Sequence, residues 1–106
     1  MVKVSVFYPN KEGGRFDLDY YLNTHVPLSK KRHGPALKEF VVERGINGGP
    51  PDSKAPYIVI AHLLFDSAEA FYEAFMPHAE ELQGDIINYT NVEPVIQISE
   101  VLTLAK

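Results

Sequence analysis

The stretch Asp17-Leu-Asp-Tyr-Tyr-Leu-Asn-Thr-His-Val-Pro-Leu28 has the apolar spacing of an amphipathic helix and ends at a proline. At helical spacing His25 shares a face with the apolar residues before it, so it is predicted to turn toward the core. These residues are Leu18, Tyr21 and Leu22. A histidine on such a face is either a core residue bonded to a backbone carbonyl or a catalytic or ligand-binding group. The helix alone leaves both possibilities open.

The helical region is predicted to form two pieces. Asp17 has the side chain of an N-cap, and the first piece runs from there to about Thr24. Pro27 predicts a break, because the residue before a proline is pushed out of the helical region. The second piece, Pro27 to His33, ends in basic residues before Gly34, as helix C-termini commonly do. A helix C-terminus therefore explains the run Lys30-Lys31-Arg32-His33 better than a nucleic-acid-binding patch does. His33 is predicted to lie at the surface.

Four segments have the apolar alternation or content of strands. The third is nearly all apolar, so both of its faces are predicted to be covered. The segment from Asn47 to Pro56 is rich in glycine and proline and is predicted to be irregular and mobile. The strands are Val2 to Tyr8, Lys38 to about Ile46, Tyr57 to Phe65 and Val92 to Leu104.

A second helix is predicted after the third strand. Asp66-Ser-Ala-Glu69 is a plausible N-terminal cap, and the residues predicted to face inward are Ala68, Phe71 and Phe75. Pro77 interrupts this helix, and a further piece carrying Leu82 ends near Gly84. The order is therefore β-α-β-β-α-β, which predicts an α+β, ferredoxin-like domain spanning 1–106. Its four-stranded antiparallel sheet has both helices on one face.

The second face of such a sheet has no helix to cover it. Alternation places Phe7, Val41, Val95 and Val101, or their neighbours, on that face. Apolar side chains on this scale usually mark an interface, so a homodimer joined sheet to sheet is predicted.

Composition excludes several classes of protein. The net charge of −4 disfavours a nucleic-acid binder, and no segment approaches the length of a membrane span. There is no cysteine, the four histidines lack metal-ligand spacing, and no glycine-rich phosphate loop follows a strand. The expectation is therefore a cytoplasmic protein without metal or cofactor.

Three phrases resemble the family named for ethyl tert-butyl ether degradation, the EthD family of the dimeric α+β barrel superfamily. They are Phe16 to Leu28, Asp85-Ile-Ile-Asn-Tyr-Thr90 and Glu93-Pro-Val-Ile-Gln-Ile-Ser-Glu-Val101. The resemblance implies a homodimeric barrel with a pocket in each subunit between helices and sheet. Relatives include proteins accessory to oxidative ether degradation, and more distant members act on lactones or aromatic polyketides without a cofactor.

His25 matches the histidine of the family's Thr-His-x-Pro motif and becomes the candidate catalytic acid or base. Since Gln97 and Glu100 fall on opposite strand faces, only one of them can point into the pocket. The candidate ligand-binding residues are Tyr21, Asn23, His62, His78, Asn88 and Gln97.

Two functions follow from this interpretation. One is a cofactor-free oxidoreductase or isomerase acting on a small apolar, oxygen-bearing molecule such as an ether, a lactone or an aromatic compound. The other is a non-catalytic accessory protein that binds a ligand in the same cleft.

Overall fold

Four antiparallel strands form one sheet in the order β2-β3-β1-β4. The structure is a computed structural model and describes residues 1–103. The sheet lies under two helical segments, and this arrangement confirms the predicted α+β, ferredoxin-like class. The strands are β1 (Val2–Pro9), β2 (Glu39–Arg44), β3 (Tyr57–Phe65) and β4 (Val95–Glu100).

The last strand is shorter than predicted. The segment before Val95 does not pair as a strand, because Pro94 has no N–H to donate to a ladder. The amide of Val101 donates to the carbonyl of Met1 just after β4 ends. Leu104, the predicted end of the strand, lies outside the described residues.

The two faces of the sheet differ in burial. On β3 the residues Val59, Ala61, Leu63 and Phe65 are buried, whereas those between them are only half-buried. The prediction that both faces of this strand are covered is therefore wrong within one chain. Helices cover one face alone, as the sequence order predicts.

The first helical segment comprises α1 (Leu18–Tyr20), a π-helical turn (Tyr21–His25) and α2 (Val26–His33). Asp17 caps it as predicted, its Oδ1 accepting from the amide of Tyr20 at 3.0 Å. The predicted break at Pro27 is wrong, because Val26 keeps helical angles of φ −62° and ψ −48°. The π turn accommodates the proline, which lacks an N–H and would crowd the preceding carbonyl in a regular α-helix.

That π turn also changes which residues face inward. Tyr21 is buried, but Leu22 is 43% exposed, so its predicted inward position is wrong. A π turn fits an extra residue into one turn and thereby rotates the helix face relative to ideal α-helical spacing.

The second helical segment comprises α3 (Ala68–Phe75), a 3₁₀ turn (Met76–His78) and α4 (Ala79–Gly84). The Oγ of Ser67 accepts from the amide of Ala70 at 3.0 Å, which confirms the predicted cap region. The interruption at Pro77 is also confirmed, since His78 leaves the helical region at φ −120° and ψ 8°. Two further 3₁₀ turns are Gly34–Ala36 and Ile86–Asn88.

The segment 47–56 contains neither helix nor strand, as predicted. Within residues 1–103, every helix is too short or too polar to cross a membrane.

Candidate functional site

A cavity of about 270 Å³ lies between the covered face of the sheet and the two helical segments. Side chains of β1, β3 and β4 form its apolar floor, among them Val4, Leu63 and Ile98. One wall belongs to the first helical segment, whose residues Tyr21, His25, Ser29 and His33 repeat every four positions along it. The opposite wall includes Phe71, Phe75, Leu82 and Ile86.

His25 and Asp85 form a hydrogen-bonded pair at one end of this cavity. The Nδ1 of His25 lies 2.8 Å from the Oδ2 of Asp85, and each side chain is 12% exposed. Because the carboxylate accepts, Nδ1 carries the proton. No group in residues 1–103 bonds the Nε2 of His25, so its lone pair remains available to a molecule in the cavity.

Asp85 is held by two further donors. The hydroxyl of Tyr20 donates to Oδ1 at 2.6 Å, and the amide of Asn88 donates to the same oxygen at 2.9 Å. Burial alone would raise the pKa of Asp85, but the hydrogen bonds from Tyr20, Asn88 and His25 outweigh it and lower the pKa. The carboxylate is therefore charged at neutral pH and fixes the orientation of the imidazole.

Aromatic rings surround His25. Tyr21 stacks on the imidazole at 5.5 Å between ring centroids, and Tyr89 packs against it at 4.7 Å. The hydroxyls of Tyr8 and Tyr89 bond each other at 2.7 Å. Burial raises the pKa of Tyr8, Tyr21 and Tyr89 well above the ordinary tyrosine value, so all three phenols are neutral near pH 7.

The sequence pattern of the EthD domain family matches residues 15–93, a stretch that includes both His25 and Asp85. The chain belongs to the EthD family. No curated protein is significantly similar to it.

Solved structures resemble this EthD domain closely. An EthD-like protein of Ralstonia eutropha JMP134 is 43% identical with a TM-score of 0.91, covering 96% of this chain and 92% of its own. An EthD family protein of Bacillus halodurans C-125 is 23% identical with a TM-score of 0.74, covering 96% and 99%. A protein of Arabidopsis thaliana shares the fold at 14% identity and a TM-score of 0.69, with full coverage of both chains.

The EthD domain brings three of the seven predicted site residues together. His25 and Tyr21 line the cavity, and Asn88 reaches it indirectly by bonding Asp85. Asn23 is exposed, and His78 is half-buried at the 3₁₀ turn; neither lines the cavity.

His62 and Gln97 lie on the uncovered face of the sheet. Both are register partners of Ser5, on the strand face opposite Val4 and Val6, so the structure does not bring them to the cavity. Gln97 donates to the hydroxyl of Ser99 at 3.0 Å. Residues 1–103 contain no group of three His, Cys, Asp or Glu side chains that could hold a metal ion.

Two residues at opposite ends of the cavity differ from the sequence interpretation. The sequence pattern indicates no role for Asp85 itself, although the phrase that begins with it carries part of the family resemblance. His33 was predicted at the surface but is 5% exposed and lines the cavity. Its basic neighbours are at the helix end as predicted, whereas the imidazole turns inward.

Proposed function

We propose that this EthD domain binds a small, largely apolar, oxygen-bearing molecule and transfers a proton to or from it through His25. An ether, a lactone or an aromatic compound fits such a cavity. The observation that carries the proposal is the pair formed by His25 and Asp85, which leaves one imidazole nitrogen unbonded beside an apolar cavity.

The chemistry follows from the fixed tautomer. In a lactone or an aromatic ketone, Nε2 accepts a proton from the carbon next to the carbonyl, and the C–H electron pair moves into the enolate. An ether lacks such a carbon and would be bound without this step. The imidazolium that forms is stabilised by the Asp85 carboxylate, whose lowered pKa keeps it charged. Where a C=C bond is conjugated with the enolate, the same proton returns from Nε2 to the far carbon of this dienolate, which completes an isomerisation. In a simple ketone the proton returns to the same carbon, which is observed as exchange.

This cycle favours a cofactor-free isomerase over a cofactor-free oxidoreductase. Proton transfer needs only His25 and Asp85, whereas an oxidation needs an electron acceptor such as dioxygen. A place beside oxidative enzymes in the degradation of such compounds agrees with what the family resemblance implies.

A second candidate function is ligand binding without turnover. It is favoured by the engaged hydroxyls around His25: Tyr20 donates to Asp85, and Tyr8 and Tyr89 bond each other. An enolate oxygen would have to find its hydrogen bond elsewhere, and catalysis without such a donor is weak.

We also propose that the domain forms a homodimer through the uncovered sheet face. Val95 on this face is 57% exposed and Val41 is 37% exposed, so residues 1–103 leave apolar surface there uncovered. Register places Val95 beside Phe7, and Val41 beside His62, which in turn pairs with Ser5, so the surface is continuous. Packing two such faces would remove this surface from water.

The test is proton exchange from 2-tetralone, a two-ring ketone with acidic C–H groups, followed by NMR in D₂O. The domain is expected to accelerate the exchange, and His25→Ala to reduce the acceleration by roughly 10²-fold or more, the usual scale for a lost general base. His78→Ala is the matched control, since it removes a histidine outside the cavity.

The outcomes separate the two functions. Binding of 2-tetralone without accelerated exchange would favour the accessory protein. A folded His25→Ala variant with undiminished exchange would end the catalytic proposal.

A further inference from the structure

His33 is a buried histidine that the proposed proton transfer does not use. It is the last residue of α2 and only 5% exposed. Its ring lies nearly parallel to Phe71 and Phe75, at interplanar angles of 19° and 14°. Phe65 packs against the His33 ring, with 5.5 Å between the two ring centroids. This end of the cavity is therefore an aromatic enclosure around one imidazole.

The hydrogen bond of His33 determines its tautomer. Nδ1 lies 2.7 Å from the carbonyl oxygen of Ser29, and because a carbonyl only accepts, Nδ1 carries the proton. Burial lowers the pKa of His33 against the opposing effect of that bond, so the ring is neutral near pH 7. Nε2 is then a pure acceptor.

That acceptor has no partner. Nε2 of His33 is the only buried side-chain nitrogen or oxygen without a hydrogen bond in residues 1–103. Nδ1 is directed at its own helix, so Nε2 lies on the opposite edge of a ring that lines the cavity, where the surrounding side chains cover it. Buried polar atoms in proteins are nearly always bonded, so this one calls for a donor that residues 1–103 do not supply.

The two cavity histidines are far enough apart to contact both ends of one ligand. His25 and His33 are eight residues apart, which is about 12 Å along a helix axis. The cavity of about 270 Å³ exceeds the roughly 150 Å³ that holds a benzene molecule. A planar molecule of one or two rings therefore fits between them.

We propose that the His33 ring shifts when a ligand enters, so that Nε2 meets the cavity and accepts a hydrogen bond from a hydroxyl group of the ligand. The cavity then selects a hydroxylated aromatic compound. The flanking phenylalanines hold the ring that carries this hydroxyl, and the opposite end of the ligand reaches His25. The inference rests on the proposed function in one respect, namely that the ligand occupies this cavity.

The experiment compares two probes that differ in one hydroxyl, 1-naphthol and naphthalene, by titration calorimetry. The unsubstituted domain is expected to bind 1-naphthol roughly tenfold more tightly, the scale of one hydrogen bond to a buried acceptor. His33→Phe should abolish this preference while keeping the affinity for naphthalene. His25→Ala should retain the preference.

A second measurement needs no substitution at His33. The ¹⁵N resonance of its unprotonated Nε2 should shift on binding 1-naphthol and stay in place on binding naphthalene. This protects the test against a His33→Phe variant that fails to fold.

The outcomes distinguish this inference from the proposed function. Equal affinities for the two probes, or a preference lost in His25→Ala and kept in His33→Phe, would overturn the role of His33 and leave cavity binding intact. Binding of neither probe would overturn both.

Discussion

The two faces of the sheet each carry a histidine bonded to a carboxylate, yet the two pairs differ in what they leave free. On the covered face, His25 gives one nitrogen to Asp85 and keeps the other. On the uncovered face, His62 has Nδ1 bonded to the hydroxyl of Ser5 at 2.8 Å and Nε2 to Glu43 at 3.2 Å. A histidine–carboxylate pair can accept a proton from a ligand only where one nitrogen remains unbonded.

The carboxylates of the two pairs differ as well. Asp85 accepts hydrogen bonds from three side chains, whereas Glu43 is half exposed and its only side-chain partner in the described part of the chain is His62. Water screens an exposed ion pair, so Glu43 holds its histidine weakly. The covered face therefore has the carboxylate that is held by more hydrogen bonds and is less exposed.

Among changes that compare the two faces, the largest expected effect is the loss of exchange when Asp85 is neutralised. Asp85→Asn should reduce the exchange of 2-tetralone roughly tenfold, because the imidazolium loses its counter-charge and its tautomer is no longer fixed. Glu43→Gln makes the same change beside His62 and should leave the exchange rate unchanged. NMR exchange rates of the two variants test this comparison, and equal losses in both would remove the distinction between the faces.

Local features of the fold were predictable from the sequence. Asp17 and Ser67 cap helices because each side chain accepts from the backbone amide three residues later. Such a contact depends only on spacing along the chain. Strand alternation likewise placed Phe7, Val41 and Val95 on one face. The predicted break at Pro27 is wrong, because a π turn can absorb a proline without leaving the helical region.

The candidate site was only half predictable. His25 follows from helical spacing and the family motif, but its partner Asp85 is 60 residues away, and only the packing of the two helical segments joins them. His33 follows three basic residues, so its sequence context indicates solvent. The aromatic enclosure that buries it comes from α3 and β3, which periodicity in α2 cannot reveal.

A smaller effect is expected from removing the histidine of the uncovered face. His62→Ala leaves the hydroxyl of Ser5, which is buried, without its partner, so the free energy of unfolding should fall by about 1 kcal/mol. Exchange of 2-tetralone should not change. Thermal unfolding measures the loss, and light scattering shows whether the proposed dimer persists.

The matched control for His62→Ala is the double variant Ser5→Ala with His62→Ala. Removing both partners leaves no unbonded hydroxyl, so part of the lost stability should return. A marked loss of exchange in His62→Ala would contradict the separation of the two faces.

The smallest effect concerns the hydrogen bond from Tyr20 to Asp85. That bond helps to lower the pKa of the Asp85 carboxyl, so Tyr20→Phe should raise this pKa toward the ordinary aspartate value of about 3.9. A lowered carboxyl pKa stabilises the fold above about pH 3.9, and the stabilisation is lost as the pH falls from there through the lowered value. The pH range over which this stabilisation is lost should therefore be narrower in Tyr20→Phe than in the unsubstituted domain.

A ¹³C NMR titration of the Asp85 carboxyl measures this shift directly. Tyr57→Phe is the matched control, because it also removes one phenol hydroxyl but packs against Phe7 on the uncovered face. If the Asp85 titration moved equally in both variants, the lowered pKa would not depend on the Tyr20 bond. A shift in Tyr20→Phe alone would show that the covered face keeps its carboxylate charged through the three side chains that bond it, whereas Glu43 has a single side-chain partner among residues 1–103.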